Sequence, residues 1–383
     1  MAARAALLLT VSLAACNRRE EPEPAKADKP ALTASAAQSA QAAQAAQSAA
    51  ATVTAKGAPS TAGTAQAVSG RYAAMSTSIE FLIWTDREAE ARLAMDAAHA
   101  EILRLEQLLT VWREDSEVSR INAAAGGDPV KVSPELLGIL KGARTIHDAS
   151  GGVFDVSFYG LKGLWRFDHQ EAASIVPSDK DIAERLPLVD GTKIELDEAK
   201  GTARLAKKGM LINLGGIAKG YAVDRAVSVL ESKGFKDVVV RAGGDLRVRG
   251  RKGQEKWKVG IRDPRGADTE FFARAALEDA AFSTAGDYER AFVKDGVRYH
   301  HILDPRTGKP AVACRSVTIL APDALTADEL DDAVFILGPD KGLALVAKYP
   351  GAGAVIVDHD NKVHVSENLK SVVEVLHPPT PGI

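Results

Sequence analysis

Three short stretches of this sequence place reactive groups at spacings that local backbone geometry can bring together. The first is Leu214-Gly215-Gly216-Ile217-Ala218-Lys219-Gly220-Tyr221. Residues Gly209 to Leu214 are apolar enough to read as a buried strand, and Gly215 and Gly216 permit a sharp turn. From Tyr221 on, Ala222, Ala226, Val229 and Leu230 recur at helical spacing. A helix start fed by glycines, with Lys219 beside it, is a place for a phosphate, because free N–H groups and the helix dipole point there. An ordinary strand-to-helix turn would read the same way. The stretch is not a Walker A loop, since Lys219 precedes Gly220, and it lacks the GxGxxG spacing of a dinucleotide fold.

The second stretch is PDALTADELDDAVFILG, residues 322–338. Thr326 and Glu329 match a capping box, which predicts a helix start there. Asp328, Asp331 and Asp332 then fall at i, i+3 and i+4, on one face of the first turns. The helix dipole accounts for one or two acids at that position. Three on one side repel one another unless a cation lies between them. Oxygen ligands with no nearby cysteine point to Mg²⁺ or Ca²⁺ and away from zinc.

The third stretch is RYHHILDPRTGKP, residues 298–310. In a strand His300 and His301 point to opposite faces, so at most one of them faces a given site, where it would suit a general base. Three glycine- and aspartate-bearing blocks, Gly151 to Asp155, Gly243 to Asp245 and Ser283 to Tyr288, have the composition of tight turns that present a carboxylate.

The elements that must hold these groups are legible in outline. Ser78 to Thr85 alternates like a strand. Glu88 to Leu109 carries Leu93, Ala97, Ala100, Leu103 and Leu108 on a helical stripe, and Pro134 to His147 reads as a second helix. Later strands are expected at 238–241, 257–261, 316–321 and 354–358, with helices at 221–233 and 327–348. This mixed order without a regular βαβ repeat predicts an α+β domain with antiparallel or mixed sheets and packed helices. No repeat of solenoid period is present.

Forty-eight basic and 51 acidic residues leave a net charge of -3 without a basic stripe, so nucleic acid is not an expected partner. Arg4 precedes an apolar run from Ala5 to Ala15, too short to span a bilayer but suited to a signal peptide. The run ends Leu13-Ala14-Ala15-Cys16, which resembles the lipobox of bacterial lipoproteins, where the cysteine carries the lipid. Cys314 is the one other cysteine, so acylated Cys16 would leave no intramolecular disulfide. The expected organisation is a signal peptide at 1–15, a disordered Ala/Ser/Gln/Pro-rich tether at 16–70 and a folded domain at 71–378. The chain is thus expected to be exported, lipid-anchored and facing the periplasm.

Taken in order, GGVFD, LGGIAKGYAVDRA, GGDLRVRG, STAGDYER, HHILDPRTGKP and SVTILAPDALTADELDDAVFILG resemble the ApbE family of FAD:protein FMN transferases. The resemblance runs from Met75 to about Asp358 and includes Met75-Ser76-Thr77 and Val111 to Glu117. It implies an enzyme that binds FAD with Mg²⁺, or Ca²⁺ or Mn²⁺ in its place. Such an enzyme moves FMN onto a threonine hydroxyl of a partner, a flavoprotein subunit of a membrane redox complex, and releases AMP. It also implies that Met75, Trp112, Val153, Phe154 and Asp155 contact the flavin nucleotide, with Asn213, Lys219 and Ile302 at further nucleotide positions. The metal would be held by the carbonyl of Gly216 with Asp328, Asp331 and Asp332, and His301 would be the base.

Three residues depart from the family pattern. Ser76 replaces a glycine, Asn213 an aspartate and Asp332 a threonine metal ligand. Two other activities would use the same residues: an FAD pyrophosphatase that activates water, and a non-enzymatic FAD-binding lipoprotein.

Overall fold

Alternating apolar residues build the first hairpin. Strand β1 (Gln66–Ala74) pairs antiparallel with β2 (Thr77–Thr85), from Ala74 opposite Thr77 out to Gln66 opposite Thr85. The structure, a computed structural model, describes residues 64–168 and 173–383. The expected signal peptide, Cys16 and the tether up to residue 63 lie outside the described residues. The tether does not reach residue 70 as expected, because residues 66–70 already belong to β1. Val68 is buried in the core there, and pairing with β2 recruits small residues that composition alone assigned to a linker.

Met75 and Ser76 form the two-residue turn of this hairpin, both left-handed with φ of 51° and 58°. Such a turn matches the twist of the strands but favours glycine. A glycine at position 76, which the resemblance implies as the usual residue, would have a conformational reason. Ser76→Gly is expected to raise stability by about 0.5–1 kcal/mol, the left-handed penalty net of glycine's added chain entropy. Thermal unfolding of the two proteins measures it, and a lower Tm for the glycine variant would contradict the strain.

After the hairpin come β3 (Val238–Ala242), β4 (Asp245–Arg249), β5 (Ala280–Gly286), β6 (Cys314–Ala321), β7 (Gly353–Asp358) and β8 (Val363–Val365). These eight strands neighbour one another in chain order, β1 to β8, and every pairing is antiparallel. The expected strand at 257–261 lies elsewhere. Trp257–Arg262 pairs with Phe271–Leu277, which pairs with Val373–Val375, in a separate three-stranded sheet.

Helices α1 (Glu88–Leu109), α2 (Pro134–Ser150), α3 (Ala218–Ser232), α4 (Ala324–Leu337) and α5 (Pro339–Val346) supply the other layer. One face of the large sheet, with Ile79, Val238, Val240, Ile319 and Ile356, packs on these helices in the main core. Leu82, Val239, Leu320 and Val355 point the other way and meet Trp257, Val259 and Phe272 of the small sheet. The alternation follows from the period of two along a strand. The expected α+β architecture stands.

Several local expectations are corrected. The buried stripe of α1 is Ala91, Met95, Ala98, Ile102 and Leu105, while Leu93 is exposed, because the small alanines admit close packing in the main core. The helix expected at 327–348 is two helices, broken at Gly338 with φ 77°. Residues 209–214 form no strand. Asn122 takes over the pairing, its Oδ1 accepting from Ile212 N at 2.7 Å and its Nδ2 donating to Ile212 O at 2.9 Å. Asn213 N donates to Val156 O at 2.9 Å. Cys314 is buried, and burial pushes its thiol up to about 12, so it is a packing group.

Candidate functional site

The chain after Gly215-Gly216 winds directly into α3. Ile217 N and Ala218 N both donate to Leu214 O, so the helix begins at Ala218, earlier than the apolar spacing from Tyr221 implied. Lys219 therefore stands in the first helical turn. Gly220 follows where α3 meets α4, and its N–H donates to Asp328 Oδ2 at 2.8 Å. The start of α4 is fixed twice. Asp323, not Thr326, is its N-cap, accepting from Thr326 N at 2.8 Å. Asp224 of α3 accepts from Ala324 N and Leu325 N at 2.9 Å each, so one helix holds the other's free donors.

Two further elements complete the site. The Gly243-Gly244 turn joins β3 to β4 and delivers Asp245, whose side chain is buried. Strand β5 brings Ser283, also buried. Carboxylate oxygens of Asp245, Asp328 and Asp331 lie within 4.8 Å of one another. Lys219 Nζ is 2.6 Å from Asp245 Oδ2 and 3.2 Å from Asp328 Oδ1. Ser283 Oγ contacts Asp245 Oδ1 and lies 2.6 Å from Asp331 Oδ2. A hydroxyl has one proton to give, so one of these two contacts needs a proton on the carboxyl. Asp332 is half-buried on the Gly216 side, its Oδ2 3.2 Å from where a Cβ on Gly216 would stand.

Burial, with the neighbouring charges, explains the protonation. Burial raises Asp328 to about 7, helped by Asp245 and opposed by Lys219 and Gly220 N–H. Burial likewise raises Asp332 to about 6, and it lifts Asp331 well above the carboxylate range with Asp332 and Asp328 adding to it. Burial alone would lower Lys219, but Asp245 and Asp328 outweigh it and hold the ammonium well above its usual range. Four carboxyl groups against one ammonium make a donor set of hard oxygens with charge to spare, which fits a divalent hard cation. Lys219 now occupies part of the space between Asp245 and Asp328.

The remaining expected residues divide. His300 is buried and structural, with Nε2 2.8 Å from Ala311 O and Nδ1 accepting from Ile302 N. The expected strand ends at His300, so alternation does not set the direction of His301; it sits in the bend that follows, and its buried Nδ1 has no hydrogen-bond partner. Burial lowers its pKa to about 3, with Arg290, His300 and Lys219 adding to it, so the imidazole is neutral and a weak base instead of one poised near pH 7. Phe154 packs its ring 3.4 Å from the same Gly216 position. Val153 and Ile302 are buried. Met75 N donates to Glu106 Oε1 at 2.9 Å.

Trp112 is 70% exposed, a bare ring with Lys162 Nζ 5.7 Å from its centroid. Asn213 Oδ1 accepts from Gly215 N at 2.7 Å and shapes the glycine turn. Asp155 spends both oxygens on protein donors, Oδ1 on Ser157 and Oδ2 on Gly191 N. Its carboxylate braces a loop. Asp245 and Ser283 were not assigned chemistry from sequence. Their blocks were legible as ligand-facing turns, but their meeting with α4 is not local.

One neighbour of the cluster carries a pH signature. Glu329 is buried against α2, its Oε1 3.1 Å from where a Cβ on Gly142 would stand. Burial raises it to about 8, with Asp328 and Asp323 adding to it. A folded pKa above the unfolded value means the folded state binds the extra proton. Its contribution is therefore full below the unfolded pKa of 4.5 and is lost as pH rises through about 8. Glu329→Gln is expected to flatten the fall in Tm between pH 5 and pH 8, read by calorimetry, and an unchanged slope would contradict this burial.

The profile described as the ApbE family matches residues 75–356. A FAD:protein FMN transferase of Treponema pallidum is 35% identical over 303 residues, covering 75% of this chain and 83% of that protein. One from Klebsiella pneumoniae is 33% identical over 266 residues, covering 69% and 82%. The crystal structure of the ApbE protein from Thermotoga maritima superposes with a TM-score of 0.72 at 34% identity, covering 80% of this chain and 99% of that one. The flavin transferase ApbE from Vibrio cholerae gives a TM-score of 0.72 at 26% identity, with the same coverage.

Proposed function

The chain belongs to the ApbE family, and on that premise we propose that it is a FAD:protein FMN transferase, moving the FMN half of FAD to a hydroxyl of an acceptor protein. The observation that carries this reading is the meeting of Asp245, Asp328 and Asp331 with Lys219 at the N-terminus of α3. The finer assignments are our own: Mg²⁺ as the ion, a threonine as acceptor, and an exported lipoprotein held at a membrane through Cys16.

Asp328 and Asp331, with Asp245 and Asp332 beside them, would hold the ion. Bound there, Mg²⁺ supplies Lewis-acid stabilisation of charge on the diphosphate. The Lys219 ammonium would meet the diphosphate oxygens and help fix the phosphorus for in-line attack. Gly216, without a side chain, lets that phosphate approach the main chain. The exposed face of Trp112 offers a ring against which the flavin nucleotide can stack, while buried Phe154 backs the glycine turn. The acceptor oxygen forms a bond to the FMN phosphorus as the bond from that phosphorus to the AMP oxygen breaks. The hydroxyl proton passes to a base, for which His301 Nδ1 is free. Because His301 is a weak base, positioning carries more of the rate than proton removal.

Incubation of the protein with FAD, Mg²⁺ and a threonine-containing acceptor tests the reading. Fluorescent flavin on the acceptor band together with AMP supports transfer. AMP and free FMN without labelling would replace it with hydrolysis, and intact bound FAD would replace it with storage.

A further inference from the structure

Lys219 reaches into the acidic cluster from the first turn of α3, and its two contacts there fall on particular oxygens. Gly220 N–H donates to Asp328 Oδ2 at 2.8 Å, and Ser283 Oγ contacts Asp245 Oδ1 and, at 2.6 Å, Asp331 Oδ2. Neutral groups thus hold one oxygen of each of these three carboxyls. Lys219 Nζ meets the remaining oxygen of two of them, Asp245 Oδ2 at 2.6 Å and Asp328 Oδ1 at 3.2 Å. Asp245 Oδ2 is buried and has no hydrogen-bond partner among the described residues, so the ammonium meets it as a charge and not as a fitted donor.

The neutral groups and the ammonium differ in freedom to move. Gly220 N–H belongs to the main chain of α3 and Ser283 to β5 inside the large sheet, so the carboxyls keep their places if Lys219 leaves. The Lys219 side chain is 31% exposed, which gives its flexible four-carbon stem an open side to swing into. Its departure uncovers two oxygens already oriented for a hard cation. A divalent ion ligated there would lie against the ammonium, and like charges at that range repel strongly. The two cannot share those oxygens.

We infer that Lys219 is a tethered counter-ion: it competes with the divalent ion for Asp245 Oδ2 and Asp328 Oδ1, and ion loading frees its ammonium to meet the diphosphate. The inference rests on the transferase reading above, which supplies the ion and the diphosphate. It gives Lys219 two successive partners, carboxylate and then phosphate. A purely structural ion pair would stay closed whatever ion is added. A lysine that served the diphosphate alone would leave ion affinity unaltered in the absence of nucleotide.

Calorimetric titration of the full protein with MgCl₂, without nucleotide, tests it on K219M, which keeps the stem and removes the charge, and on K219R, which keeps the charge. Folded K219M is expected to bind Mg²⁺ at least about tenfold more tightly than the native protein, the effect of removing one close positive charge, with K219R near native. K219M leaves buried carboxylates without their ammonium and lowers stability, so the native protein supplies a second measurement. Reductive methylation of Lys219, read by mass spectrometry, should speed up on adding Mg²⁺ and slow again when FAD joins the loaded protein. Mg²⁺ binding by folded K219M no tighter than native, or labelling that Mg²⁺ leaves unchanged or slows, would overturn the counter-ion. Labelling that FAD fails to slow would overturn the passage of Lys219 to the diphosphate. If Mg²⁺ exposes Lys219 but no acceptor threonine acquires flavin, the transferase reading fails and the counter-ion stands.

Discussion

Asp328→Asn is expected to reduce flavin transfer by at least about 10²–10³-fold, the scale of losing a principal stabiliser of developing charge. The substitution keeps the volume but removes the charge that Lys219 Nζ meets at 3.2 Å, and an amide group can turn a donor toward Gly220 N–H. The same change takes one of three carboxylates from the cluster. Mg²⁺ affinity should therefore fall with the rate, and AMP release should fall with labelling. Calorimetric titration with Mg²⁺, alongside the labelling assay at limiting Mg²⁺, measures both. A near-native rate there would remove Asp328 from the metal site.

The second large effect is expected from packing at the same helix crossing, with no charge removed. Gly220→Ala places a Cβ 2.3 Å from Ala324 O and 2.7 Å from Asp328 Cβ. The first contact is with backbone at a helix start already fixed by Asp224, so no side chain can swing aside. The helices α3 and α4 must separate, at a cost of about 3 kcal/mol or more. Moving Asp328 by about 1 Å relative to Lys219 should cost a further ~10²-fold in turnover. Thermal unfolding and steady-state transfer report the two parts. An alanine variant with native Tm and native rate would show that the helices do not touch as described.

The motif residues were readable because their meaning is local. Asp328 and Asp331 share a face of one helix by spacing alone, and the glycines before Lys219 announce a turn and a helix start. His300 was legible as a strand residue, but the strand ends there and His301 lies in the bend that follows. Local rules failed where a distant group intervened. Asn122 lies 90 residues from Ile212, yet it takes the hydrogen bonds that would have made residues 211–213 a strand. The N-cap of α4 passed from Thr326 to Asp323, with Asp224 assisting from 100 residues away.

By itself the sequence determined the α+β class, the acidic face of α4, the glycine-fed start of α3 and the family, since each depends on neighbours within a few turns. Only the tertiary structure decided that Asp245 joins the cluster and that Ser283 bridges two carboxyls. It also decided that Asp155 braces a loop and that His301 is held neutral. Those outcomes depend on burial and on charges brought together across the sheet, and a carboxylate's chemistry is set by what surrounds it.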